Sequence, residues 1–194
     1  MTRLLIDEPA QCRDLALFTD RVLRCQAGAV VRLRTRSDGL VAAWAAPDAD
    51  VLACRAVRAR LSPSDVTCGA TALHRGLAAV ESGSVDIGVP MDAAWRRAVP
   101  PETGFVHIDD VPAGVLLALA DSQAVEVSDG TTTVTVPKDY VTMLTVMGFL
   151  PDPVPPAEVV RVRVTPAWLR IDARFGSVFG RREGPELLLR TSSS

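Results

Sequence analysis

Apolar and charged residues alternate strictly in two separated stretches of the chain. In the first, Val31, Leu33 and Thr35 alternate with Arg32, Arg34 and Arg36. In the second, Val160, Val162 and Val164 alternate with Arg161 and Arg163. After Thr165-Pro166, Leu169, Ile171 and Ala173 alternate with Arg170, Asp172 and Arg174. A period of two puts alternate side chains on opposite faces, so each stretch predicts a half-buried antiparallel hairpin. Ser37-Asp38-Gly39 supplies the first turn and Leu40 to Ala46 the return strand. Residues 30–44 lie over 159–173 without a gap, with Leu40 on Leu169. A helix is expected before each hairpin and a third strand after it: Val51 to Leu61 in one case, Glu186 to Arg190 in the other. A unit that cannot bury its own apolar face pairs with its twin.

A period near 3.6 marks the helices. Asp7 is placed to cap the first, with Pro9 in its first turn, and Cys12, Leu15, Ala16, Val22 and Leu23 form its stripe to about Arg24. Ser62-Pro63-Ser64-Asp65 breaks the chain before a helix carrying Leu73, Leu77 and Val80, and Val85 to Val89 reads as a short strand. Asp92 is placed to cap a short helix that Pro100 and Pro101 end. Phe105 to Ile108 predicts a strand, and Asp109 or Asp110 is placed to cap an apolar helix from Val111 to about Asp121. Ser128 to Gly130 joins strands 124–127 and 131–136. A helix over 137–147 then stops at Gly148, where Leu144 and Phe149 can make the contact that accompanies a glycine cap. The helix from Val111 to about Asp121, followed by the hairpin of strands 124–127 and 131–136, resembles the end of a winged helix in shape only, because that helix bears no basic or amide side chain.

The fold class expected is α+β, mainly antiparallel sheet with packed helices, with two helix-plus-three-strand units related by a pseudo-repeat. The chain reads as one globular domain over 1–194. Its parts are an N-terminal αβββ unit at 1–61, a mainly helical middle with a β-hairpin at 62–136, and a C-terminal αβββ unit at 137–190.

Composition refines this. The chain has 194 residues, 48% of them hydrophobic, enough for a substantial core. A net charge of −2 creates no global field that calls for nucleic acid or an anionic membrane. Lys138 is the sole lysine and asparagine is absent. This bias tracks GC-rich codons and points to a high-GC bacterium, where arginine stands in for lysine. No cleavable leader or bilayer-length apolar run is evident, so a cytoplasmic location is expected, without a membrane. The cysteines Cys12, Cys25, Cys54 and Cys68 form no CxxC pair and are expected reduced.

Candidate chemistry is sparse. His107 and Asp109 lie two apart on a strand and could serve a metal-dependent or hydrolytic enzyme, but a third ligand is missing and the aspartate has a capping role to fill. Cys54, Cys68 and His74 lack zinc-site spacing. There is no P-loop, dinucleotide fingerprint or nucleophile elbow, and no cofactor or metal is expected. The more specific feature is arginine. Arg32, Arg34 and Arg36 share one strand face and Arg161 and Arg163 another. Arg174, Arg181 and Arg182 flank a glycine-containing turn at 176–180. If the two hairpins lie in one sheet, these residues form an anion-binding platform for an acidic protein partner. Nucleic acid is disfavoured because aromatic residues, 5% of the chain, do not alternate with these arginines. The reading that follows is a non-catalytic, chaperone-like binding or scaffold protein that forms a homo-oligomer. A nucleic-acid binder is the alternative beside the enzyme.

Overall fold

The computed structural model describes residues 2–118 and 124–182. In chain order these form β1 (Arg3–Ile6), α1 (Pro9–Cys25), β2 (Val30–Thr35), β3 (Val41–Ala45), β4 (Val51–Val57), β5 (Arg60–Ser62), β6 (Asp65–Gly69), α2 (Ala70–Ala78) and β7 (Gly83–Val85). A 3-10 turn at Asp92–Ala94 follows. Then come β8 (Val106–Pro112), α3 (Ala113–Ala118), β9 (Ala124–Ser128), β10 (Thr133–Pro137), α4 (Lys138–Val146), β11 (Val159–Val164), β12 (Trp168–Ala173) and β13 (Gly176–Arg181). The fold is α+β with antiparallel strand pairing, as the alternation predicts.

The two alternating hairpins belong to one eight-stranded sheet, ordered β6-β2-β3-β4-β13-β12-β11-β8. The units β1-α1-β2-β3-β4 and β10-α4-β11-β12-β13 have the same element order. They join where β4 meets β13 antiparallel, with Val51 opposite Gly180 and Cys54 opposite Ser177. The large core lies between this sheet and helices α1, α2 and α4. It includes Val31, Leu33, Val41 and Ala53 from one half, and Val160, Val162, Ile171 and Val178 from the other.

Small residues let the helices sit close to the sheet. On β13, Gly176 lies under the Phe149 ring and Gly180 under the Tyr140 hydroxyl, where a Cβ would overlap either group. Phe149 follows α4 and stacks on Phe18 of α1, with centroids 6.3 Å apart and planes 3° from parallel. The cap expected at Gly148 forms: its φ is 63°, and the Phe149 N–H donates to the Leu144 carbonyl at 2.9 Å.

Several expected elements are corrected. Asp109 and Asp110 do not cap a helix, because β8 continues through Val111 and Pro112, which pair with Val160 and Val159. The Ala113 N–H still donates to the Glu158 carbonyl, so the helix starts only there. Proline is tolerated because β8 is an outer strand, where a missing N–H breaks no ladder. Asp7 makes no cap either. Glu8 occupies that position without a side-chain bond, while Asp7 pairs with Arg60 at 3.1 Å. The middle of the chain, expected to be mainly helical, also contributes strands to the sheets. β5 and β7 flank β1 in a three-stranded sheet, and β6 and β8 are the outer strands of the large one. β5, β7 and β8 fall at or beside strands expected at 51–61, 85–89 and 105–108, whereas β6, of five residues, holds too few periods to register as alternation. The third strand of the second unit is β13; the segment 186–190, proposed for it from sequence, lies outside the described residues. No helix among the described residues is long and apolar enough to cross a membrane.

The close approach of α4 makes β13 a sensitive strand. Gly176→Ala should destabilise the protein by about 1–3 kcal/mol through overpacking against Phe149, measured as a lowered chemical-denaturation midpoint with unchanged m-value.

Candidate functional site: the outer sheet face

Helices cover one face of the large sheet, and the other carries a second, smaller apolar cluster. Ala42, Trp44, Leu52, Cys54, Trp168 and Phe179 form it, with Trp95, Val99 and Phe105 of the segment before β8 packed against it. Strand alternation dictates this arrangement. Val41, Ala43 and Ala45 face the helices, so Ala42 and Trp44 must face away.

Register then fixes the neighbours of each arginine. Arg32 pairs with Trp44, Trp44 with Cys54, Cys54 with Ser177, Ser177 with Asp172, Asp172 with Arg161 and Arg161 with Asp110. A second row runs Asp65, Arg34, Ala42, Ala56, and a third Leu52, Phe179, Arg170, Arg163, His107. The Arg-bearing strands on either side therefore face the same way, with the apolar patch between them.

The guanidinium groups differ in how fully they are engaged. Arg32 makes two 2.7 Å bonds to the Asp65 carboxylate. Arg34 lies 3.8 Å from that same carboxylate and is half-exposed. Arg36 binds Asp38 through Nη2 at 2.7 Å, and its buried Nε has no partner among the described residues. Arg161 lies 3.3 Å from Asp110, and Arg163 lies 3.6 Å from Asp172. Arg170 donates to Asp172 and sits between Phe105 and Phe179, 5.5 and 5.3 Å from their centroids. Arg174, in the β12–β13 turn, pairs with the buried carboxylate of Glu158. Arg181 lies 4.3 Å over the Trp168 ring, and Arg182 donates to the Thr165 carbonyl at 3.0 Å. These last two make a structural clamp on the β11–β12 turn. Cross-strand pairing also supplies the aromatic neighbours that the linear order of the chain does not reveal.

A cavity of about 220 Å³ opens on this face. Trp44, Cys54, Ala56 and Phe179 line it below, and Val99, Pro100 and Pro101 form one wall. Arg34, Arg36, Arg55, Arg170 and Arg174 also border it, with Glu102 as its acidic residue. The Glu102 carboxylate accepts the Ser37 N–H at 2.9 Å and the Ser37 hydroxyl at 2.7 Å. Those two bonds, helped by Arg36 and Arg34, hold it below the ordinary carboxylate range. Glu102, Trp44, Phe179 and the 99–101 segment were missed as candidates; Pro100-Pro101 was legible only as a helix stop.

The pair proposed from sequence, His107 and Asp109, does not form a contact of its own. A register shift between Val162 and Arg163 interrupts β8, and His107 Nε2 lies 3.7 Å from Asp110, which also faces Arg161. Among the described residues, no group of three or more His, Cys, Asp or Glu side chains lies close enough to hold a metal ion. Cys12, Cys54 and Cys68 are buried and Cys25 is exposed. Burial pushes the Cys54 and Cys68 thiols up to about 12.

Residues 1–97 match the family described as Domain of unknown function (DUF8010). The chain belongs to this family. Residues 118–185 match a second model, Domain of unknown function (DUF8185). No curated protein matches the sequence. Among solved structures, the chain is similar to the DNA polymerase sliding clamp of Bacillus subtilis, with a TM-score of 0.64 at 14% identity over 95% of this chain and 65% of the clamp. It is also similar to the beta sliding clamp of Caulobacter crescentus, at TM-score 0.61 and 15% identity over 95% of this chain and 66% of that one. The Helicobacter pylori beta clamp gives 0.58 at 8% identity. The chain thus has the fold of sliding clamps, which are built of repeated helix-plus-strand units, and spans about two-thirds of their length.

Protonated groups buried in the two apolar clusters set an alkaline limit, Cys54 in the outer one and Cys68 and Tyr140 in the main core. Burial raises Cys54 and Cys68 from 9.0, and Tyr140 from 10.0, to about 12. The unfolded chain loses these protons first, so stability should be unaffected below pH 9 and fall between pH 9 and 12. Urea midpoints measured across that range test this. At pH 8, a thiol alkylating agent should label native Cys25 and spare Cys54 and Cys68.

Proposed function

We propose that the chain is a non-catalytic scaffold of the bacterial cytoplasm that receives an acidic segment of a protein partner on its outer sheet face. The observation that carries this reading is the cross-sheet register, which brings Arg32, Arg34, Arg161, Arg163 and Arg170 around an apolar and aromatic patch. Aromatic groups beside guanidiniums are what protein interfaces concentrate at their centres. The likeness of fold to sliding clamps supports a scaffold.

Those clamps are named for a DNA polymerase, yet the charge of this chain favours a protein partner. On and beside its helices, Arg13, Arg21, Arg24, Arg75 and Lys138 are matched by Glu8, Asp14, Asp20, Glu81 and Asp139. Affinity for duplex DNA comes largely from uncompensated cations that release counterions, and this layer offers a mixed field instead. On the outer face the arginines likewise have carboxylate neighbours, which suits recognition of particular carboxylates better than a polyanion. Self-association belongs to the same reading. β8 is the outer strand of the sheet, and Val106 on it and Val159 on the neighbouring β11 are exposed.

Fluorescence anisotropy with labelled acidic peptides, their alanine counterparts, and single- and double-stranded DNA of equal length tests the reading. Acidic peptides should bind, and Arg161→Ala with Arg163→Ala should weaken them about tenfold, roughly the loss of one or two charge-assisted bonds. Tighter binding of DNA than of any acidic peptide, with a steep salt dependence, would assign the face to nucleic acid and overturn the proposal.

A further inference from the structure

We infer that the outer-face cavity takes one apolar side chain of the partner while Arg34 and Arg36 hold an adjacent carboxylate, and that Glu102 fills the carboxylate position in the free protein. This deepens the scaffold reading and rests on it.

The cavity's size and walls identify what enters it. At about 220 Å³ it is smaller than the pockets of about 300–1,000 Å³ that take drug-sized ligands, and it suits a single side chain. Its floor is Trp44, Phe179 and Ala56, with Val99, Pro100 and Pro101 beside them. An aromatic or large aliphatic group fits these surfaces; a charged one would lose its hydration against them.

The polar side points to a carboxylate. Arg55 and Arg170 are committed elsewhere, to Asp14 and to Asp172. Arg34 and Arg36 retain donor capacity: Arg34 approaches Asp65 only to 3.8 Å, and the buried Nε of Arg36 donates to no group among the described residues. Glu102 lines the same cavity as both, its carboxylate tethered through Ser37 with the two guanidiniums as neighbouring positive charges. The chain's own segment Val99-Pro100-Pro101-Glu102 therefore already lays apolar groups and an acid along this face. An external segment with the same chemistry, an apolar residue beside an Asp or Glu, makes the same contacts and exchanges its carboxylate for Glu102.

Anisotropy with two labelled acidic peptides tests this, one carrying a central Phe and the other Gly at that position. The Phe peptide should bind the wild-type protein at least tenfold more tightly. Ala56→Phe, which fills the cavity, should abolish that advantage and leave the Gly peptide unaffected. Glu102→Gln should tighten both peptides several-fold, whereas a merely structural Glu102 would leave affinity unchanged or weaken it. Arg34→Gln, at a half-exposed position that leaves the fold intact, should weaken both. Equal affinities of the two peptides for wild-type protein would overturn the pocket. If both still weakened on Arg161→Ala with Arg163→Ala, the scaffold reading would stand; if neither bound, both proposals would fall. A concentration-dependent dimer that Ala56→Phe abolishes would put a second copy in the cavity and overturn the assignment of an external partner.

Discussion

The antiparallel pairing of β4 with β13 is the contact on which the rest of the molecule depends. It joins two units of similar element order into one sheet, and it requires residues distant in sequence to meet: Val51 with Gly180, Leu52 with Phe179, Ala53 with Val178 and Cys54 with Ser177. Because side chains alternate, this one register assigns both faces at once. Ala53 and Val178 go to the main core, and Leu52 and Phe179 go to the outer patch. A slip of one residue would exchange those sets and bring Phe179 under α4, where Gly180 now admits Tyr140.

The same pairing explains why large side chains collect on the helix-free face. Near the junction the helix side carries small groups, Ala43, Ala45, Ala53, Gly176 and Gly180, so α1 and α4 can approach until Phe18 stacks on Phe149. Bulk on the opposite side, Trp44, Trp168 and Phe179, has no helix among the described residues to cover it. The segment from Trp95 to Phe105 lies over part of the patch, and arginine stems cover more, with Arg170 held between Phe105 and Phe179. What remains open is the cavity.

The strands with several full periods were legible in the amino-acid order. Val31 to Arg36 and Val160 to Ala173 alternate cleanly, and their faces follow without any structure. The correspondence of 30–44 with 159–173 was legible for the same reason, and β2 with β11 and β3 with β12 occupy equivalent positions in the two units. Asp109 and Asp110 misled because a carboxylate before an apolar run is also how a helix starts; the pairing of Val111 and Pro112 with β11, a tertiary contact, outweighs that local preference. The outer-face site was half legible. Its arginines stood out, but the partners that give them meaning, Trp44, Phe179 and Glu102, lie in other strands and a connecting segment. Only long-range register brings them together.

The pairing of nearly every outer-face arginine with an internal carboxylate has a consequence for how such a surface discriminates. An incoming acid does not meet bare charge; it replaces Glu102 or competes with Asp65, Asp110 or Asp172 for donors already engaged. Exchanging one carboxylate for another yields little net electrostatic energy, because the desolvation and Coulomb terms nearly cancel. Affinity must then come from apolar area entering the patch, at roughly 25 cal/mol per Å², while the arginines decide which segments are admitted by penalising any that would leave a guanidinium without its acid. A partly self-neutralised platform therefore selects for carboxylates placed beside an apolar residue and gives little advantage to an undifferentiated polyanion.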